Sequence, residues 1–522
     1  MRLNEKIRDR LSTVNLNDDK RLLKHSFLYT FLLGMAAHAF AFLNLQPSHD
    51  SLFEFFSESF NHSRQISLGR IFEPLYHKLT ASSAVMPWSV GILSLCWIAL
   101  SVFMVAKIFR LENKGSLFLL SGVFATNATV IAMTATYMPW LGVDTMALLF
   151  SVLSVMFWHL YFQYSRLRYL VIGAFVLMLS MGLYQSYVAV TITLIIIYSV
   201  LALLKKFPIK TVFKNGCAGI AMLVAGGGFY YAAMKVICKI YNVSIMSSGY
   251  NTVANLWNNT ETIKERIWHC YNIVLEFFFE EHISVYPGRI LHIANFLLVL
   301  VCIAATIYIM IRKRVKWTGI VLTAVLIILL PAGMNVTRLL NSSTHDLTYY
   351  AFFMAYLIPL LLFKMIAEDK ELFKARFGKW ISYVIVFFVV FQNIQTANLV
   401  YVEKQIQYDS TMSLMTNVLR DIEDQEDYIE GETPVIFIGY PGDIMTSLPE
   451  KNKVYEIIGV EINAALTYDY ETYFEIMQRN VLVEPSDGWQ DLELVQGMPV
   501  YPQKGSVAKV GDAVVVKFSQ GD

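Results

Sequence analysis

Apolar residues in this chain come in long unbroken runs, not in the short amphipathic stripes of a water-soluble fold. A helix needs roughly 20 such residues to cross about 30 Å of hydrocarbon. Eleven runs reach or approach that length, near 26–45, 88–109, 116–136, 140–162, 169–185, 187–204, 216–238, 290–311, 317–334, 349–367 and 380–398. The expected fold class is therefore an α-helical polytopic membrane protein of about 11 transmembrane helices. The links within the pairs 116–136/140–162 and 169–185/187–204 are very short, so one of these pairs can also be counted differently.

The polar stretches between the runs divide the chain into a cytoplasmic N-terminal segment (1–25), a transmembrane domain (26–398) and an extracytoplasmic module (399–522). Two connections are too long for turns, at about 46–87 and 239–289. In the first, aromatics at 53, 56 and 60 with acids at 54 and 58 suit a helix lying in the interface, and Ile71–Leu79 suits a second. In the other, Thr262–Glu280 reads the same way. Beyond residue 398 a helix is expected over Met412–Tyr428, continuing from the last span. Strands are expected at Val435–Tyr440 and Ala513–Lys517, with turns at Pro441-Gly442 and Gly511-Asp512. That pattern predicts a small α/β module.

Composition agrees with the pattern. Of 522 residues 56% are hydrophobic and 16% charged, where globular chains carry about 25% charge. A net charge of +1 gives no reason to expect nucleic acid as a partner. Lysine and arginine crowd every second connection: the N-terminal segment, Lys107–Lys114, Arg166–Arg168, Lys205–Lys214, Arg312–Lys316 and Lys370–Lys379. The positive-inside rule then puts the N-terminus in the cytoplasm and, with an odd span count, the C-terminal module outside a plasma or inner membrane. Five cysteines, mostly inside spans, make no disulfide framework or CxxC site.

Candidate chemistry gathers at the outer ends of the spans. Gln46-Pro-Ser-His49-Asp50 breaks the helix after the first run. Asp50 there suits a general base for a hydroxyl acceptor, or a plain capping acid. Asp144, one turn into the fourth run beside Tyr137-Met-Pro-Trp140, is a second carboxylate; an ionisable group at that depth needs a cavity or a partner. Outer arginines run against the charge bias. Arg70, Arg289 and Arg338 suit a phosphate, or snorkel to lipid headgroups. Gly182-Leu-Tyr184-Gln185-Ser-Tyr187 offers groups for sugar hydroxyls, with His49 and Trp140 as further sugar or acceptor contacts, or forms an aromatic belt at the interface. His345-Asp346 is a weaker pair of the same kind. No Walker A, HExxH, GxSxG or DxD stands in a plausible place, which argues against nucleotide hydrolysis, zincin chemistry and a metal-held nucleotide sugar.

Several of these residues resemble one family. Gln46-Pro-Ser-His-Asp50, its spacing to Leu68-Gly-Arg-Ile-Phe72, Gly182–Tyr187 and Ala397-Asn-Leu-Val-Tyr401 look like the bacterial GtrII-type glucosyltransferases, within the polytopic GT-C class; the likeness covers roughly 25–430. The resemblance implies transfer of glucose or another hexose from an undecaprenyl-phosphate donor to a surface glycan acceptor outside the membrane. It makes Asp50 the base, gives Arg70, Arg289 or Arg338 the lipid phosphate, and needs no cofactor beyond the lipid-linked sugar. His49 stands where a paired acid often occurs, so the implied mechanism is metal-independent and inverting, with a divalent metal left open. A transporter or flippase of lipid-linked glycans and a glycan polymerase are the rival readings. The few charges deep in the spans favour an enzyme over a transporter.

Overall fold

Each of the apolar runs is helical, the one at 116–136 in two pieces and the one at 349–367 opening with a 3-10 stretch, Tyr350–Tyr356. The computed structural model describes residues 16–52, 62–80, 86–246, 261–280, 289–341, 344–368, 376–439, 441 and 470–519; the side chains of His49, Asp50 and Arg289 lie outside that description. The described residues open with α1 (Leu16–Leu43), a short helix His49–Leu52 and, after His62–Ser67, α2 (Glu73–Thr80). Then follow α3 (Pro87–Phe109), α4 (Lys114–Ala125), α5 (Ala128–Thr136), α6 (Leu141–Tyr164), α7 (Leu167–Leu183), α8 (Val188–Leu204) and α9 (Ile209–Tyr241). The second half holds α10 (Ile263–Phe279), α11 (Arg289–Arg312), α12 (Trp317–Met334), α13 (Leu357–Glu368) and the 48-residue α14 (Arg376–Glu423).

Among the described residues ten helices are long and apolar enough to cross a membrane. The eleventh, expected at 169–185, is α7, a helix of 17 residues. The expected third span is not one helix. It breaks at Thr126-Asn127 into α4 and α5, which together form the most enclosed span, 94% buried. Asn127 repairs the break from both sides: its Oδ1 accepts from Val130 N at 3.2 Å, and its Nδ2 donates to Val123 O and Phe124 O, each at 3.0 Å. Backbone groups freed by a kink inside a bundle need such partners because water is absent.

Basic residues from separate connections meet at one end. Lys107 pairs with Asp19 at 2.7 Å, Lys364 donates to Phe109 O at 3.1 Å, and Lys205 feels Lys364, Arg110 and Lys313 electrostatically. Outward faces of α9, α11 and α12 stay apolar and exposed, with Val224, Phe296 and Ile328 among them, as expected of surfaces meant for lipid.

Two expected interfacial helices form with different fates. Helix α10 carries a capping box, Thr262 with Glu265, and leaves Trp268 exposed. Helix α2 instead tucks in, burying Glu73, Pro74, Tyr76 and His77. The patterning at 53–60 lies outside the described residues.

The last span does not stop near 398. Helix α14 runs on to Glu423, about 72 Å at 1.5 Å per residue, and its far end packs on a four-stranded sheet ordered β2-β1-β4-β3. Strand β1 (Pro434–Ile438) pairs in parallel with β2 (Leu482–Glu484) and β4 (Ala513–Lys517), while β3 (Val507–Val510) and β4 form a hairpin around Gly511-Asp512. Of the turn expected at Pro441-Gly442, Gly442 lies outside the described residues. Leu52, just past Asp50, is buried in this sheet's core with Met415, Val418 and Phe518.

Candidate functional site

At the end away from the basic cluster, two polar assemblies flank the short connection Thr136–Trp140. The first holds the turn that contains His49 and Asp50. Pro47 lacks the amide proton that would continue α1, and the next residues fold back on themselves: Ser48 N donates to Ser51 Oγ at 2.6 Å and Leu52 N to Ser48 O at 2.9 Å. Gln46 Nε2 donates to Tyr401 O and Gln405 Oε1, both at 3.0 Å. Ser48 Oγ donates to Thr136 O. Lys404, buried in α14, donates to Gln46 O at 3.0 Å and also to Ala135 O, where α5 ends. One ammonium thus ties three separate segments together. Beside the turn, a small cleft is lined by Gln46, Pro47, Ser51, Pro87, Thr134 and Met138.

The second assembly centres on Arg70. Gly69, at φ 84°, takes the left-handed turn that favours glycine. The following segment is pinned by Phe72 N to Gly182 O at 2.9 Å and by Tyr230, whose hydroxyl donates to Gly69 O at 3.0 Å. A Cβ on Gly182 would strike the Phe72 ring, so a bare backbone is required where α7 meets this loop. The Arg70 guanidinium carbon lies 4.8 Å from the centre of the Tyr184 ring, and Nη1 donates to Gln65 Oε1 at 3.2 Å. Three residues on, Glu73 opens α2 and is 1% exposed. Its Oε1 accepts from Trp140 Nε1 at 2.5 Å and lies 3.6 Å from His77 Nε2, while Oε2 is 4.0 Å from Arg70 Nη1.

Asp144, in the first turn of α6, is buried within electrostatic reach of both Arg70 and Glu73. Tyr187 in turn feels Asp144 and Tyr350. The loop before residue 350 closes the far side: Thr129 Oγ1 donates to Asp346 O at 2.7 Å, and Tyr350 donates to Phe124 O at 2.8 Å at the α4/α5 break. His345 there is held neutral, its pKa pushed down to about 4 by burial and by the Arg70 charge. For Arg70 itself, burial works against the charge. Glu73, Tyr184, Asp144 and Tyr137 outweigh that and keep its pKa above the ordinary value.

Of the residues singled out from the sequence, the fold brings Arg70, Trp140, Asp144 and Tyr184 together. The backbone of His49 and Asp50 sits across the Thr136–Trp140 connection from them. Gln185 belongs to the scaffold, since its Nε2 donates to Leu68 O at 3.0 Å and Tyr230 Oη at 2.9 Å; a sugar hydroxyl would have to displace one of them. Arg338 departs further from expectation. Its two terminal nitrogens grip Glu261 at 2.7 and 2.8 Å, so the fork a phosphate would need is already filled by a carboxylate. Sequence reasoning missed Glu73 and Lys404. An acid three residues after a flagged arginine, on a helix start, was a signal for the first. For Lys404 no local signal existed, because its partners lie some 270 and 360 residues away.

One partly exposed guanidinium within reach of two buried carboxylates, with tyrosine and tryptophan beside it, suits a polyhydroxyl ligand that bears an anionic group. Among the described residues no three His, Cys, Asp or Glu side chains gather as a metal site. The family model for Glucosyl transferase GtrII matches residues 39–393, a stretch that takes in the Asp50 turn, the whole Arg70 assembly and His345. No individual curated protein matches the chain.

Proposed function

Because the chain belongs to the GtrII glucosyl transferase family, we propose that it moves glucose, or a closely related hexose, from a polyprenyl-phosphate carrier to a hydroxyl of a cell-surface glycan. The observation that carries this reading is the partly exposed Arg70 with buried Glu73, Asp144, Trp140 and Tyr184 at the span ends, beside the anchored Asp50 turn. A lipid-linked sugar phosphate presents its head at this depth while its tail stays in hydrocarbon.

In the proposed reaction the acceptor oxygen attacks the anomeric carbon, and the bond from that carbon to the phosphate oxygen breaks with inversion. The acceptor proton passes to a carboxylate, Asp50 in the first instance, with Asp144 as the alternative. Polyprenyl phosphate leaves with the bonding pair. Arg70, joined by Arg289, offsets the charge that develops on it. Only this electrostatic aid and a positioned base are needed, so no covalent intermediate enters. The site end faces the outside of a bacterial plasma membrane and the basic end faces the cytoplasm, in keeping with the lysine and arginine distribution.

Purified protein in detergent, given polyprenyl-phosphate glucose and an acceptor glycan, should release polyprenyl phosphate in step with glucose incorporation. A flippase or other transporter would release none, and that result would remove the transferase reading.

A further inference from the structure

Glu73 is buried, yet half of it is unused. Oε1 takes the Trp140 indole proton at 2.5 Å with His77 close by, whereas Oε2 has no hydrogen-bond donor among the described residues. Its nearest cation, Arg70 Nη1, stands 4.0 Å off, beyond hydrogen-bond range. A buried carboxylate oxygen left without a donor is expensive. The local geometry explains why the pair stays apart: Arg70 is held by Gln65 and lies against Tyr184, while Glu73 is fixed by Trp140 at the head of α2.

One hydroxyl oxygen about 2.8 Å from each would bridge the 4.0 Å between donor and acceptor, entering where the partly exposed Arg70 side chain moves aside, since Oε2 itself is enclosed. Such a hydroxyl accepts from Arg70 Nη1 and donates to Glu73 Oε2, completing both groups at once. A water would do the same less selectively. The Trp140 indole lies against Glu73 and the face of the Tyr184 ring lies against Arg70, a setting suited to a sugar ring.

We propose that Arg70 and Glu73 form a subsite that reads one hydroxyl of the transferred hexose, making Glu73 a specificity-determining residue. The assignment rests on the transferase reading above. It adds to that reading a recognition role separate from the base.

The test measures binding and turnover separately. Equilibrium binding of polyprenyl-phosphate glucose and of its 2-, 3-, 4- and 6-deoxy analogues is measured on the purified full-length protein, wild type and Glu73→Gln. Glutamine keeps the Trp140 acceptor and the side-chain volume, and Glu73→Asp, which withdraws the carboxylate by one methylene, serves as the second variant. A hydrogen bond to a charged group predicts that wild type binds one deoxy analogue on the order of 10- to 100-fold more weakly than glucose. Both variants should level that ratio toward one through loss of glucose affinity, with the other analogues tracking glucose. Equal ratios in wild type and variants, or no discrimination among analogues by wild type, would overturn the subsite. Intact discrimination without polyprenyl phosphate release would leave the subsite standing and remove the transferase reading instead. Absence of binding by any donor overturns both.

Discussion

At the scale of single residues, the proposed chemistry rests on a few carboxylates and the guanidinium groups of Arg70 and Arg289, each with a separable role. Asp50→Asn should abolish sugar transfer while leaving membrane insertion and donor binding in place, because only the proton acceptor is lost; wild-type turnover in that variant would transfer the base role to Asp144. Arg70→Ala should weaken donor binding and turnover together, by about 10²-fold in the kcat/KM for the lipid-linked sugar, since phosphate and hydroxyl contacts both go. His345 sets an acid limit. Its folded pKa of about 4 lies below the ordinary 6.5, so the unfolded chain binds the extra proton between those values. Stability from this residue is complete above pH 6.5 and falls away as pH drops toward 4, a difference on the order of 3 kcal/mol. Melting temperatures of the solubilised protein between pH 7.5 and 4.5 should therefore decline less steeply for His345→Gln than for wild type.

At the scale of elements, the site depends on where helices end and loops are pinned. Tyr184, Gln185 and Gly182 were legible together as a polar break between two runs, but the sequence could not say that the break clamps the Arg70 loop. Gly182→Ala tests this, because a methyl group there meets the Phe72 ring two residues from Arg70. Glucose incorporation should drop by about 10²-fold, the scale of an ångström-sized misplacement, with the protein still inserted and folded by circular dichroism. Helix α2 makes a related point. Leu75 and Leu79 are exposed on it, which gives it the look of an interfacial helix, while Glu73 and His77 fall on the hidden face. Periodicity marked the helix correctly and could not say which neighbour would cover its polar side.

At the scale of the whole molecule, the Asp50 turn is gripped from two directions. Lys404 of α14 holds Gln46 and Ala135 from the bundle side, and the sheet core takes in Leu52 on the other. The module beyond 398 is thereby part of the structural support for the turn that carries Asp50. Leu52→Ala should destabilise the protein by about 2–5 kcal/mol, the range for emptying a buried leucine site. It should also lower turnover more than donor affinity. Unchanged turnover after a drop in melting temperature would show that the module and the turn are energetically independent.

The sequence by itself determined the membrane class, the helical runs, the helix break at Pro47 and the end of the bundle at which polar chemistry gathers. These follow from hydrophobic length, from a missing amide proton and from charge bias, all of which act over a few residues. The identity of the assembly came only from the tertiary structure. Whether Arg338 meets a phosphate or Glu261, whether Gln185 is a ligand or a brace, and that Glu73 and Lys404 matter at all depend on contacts between residues far apart in the chain. Such contacts are set by helix packing, kinks and close approaches at glycine, which no local window of sequence contains.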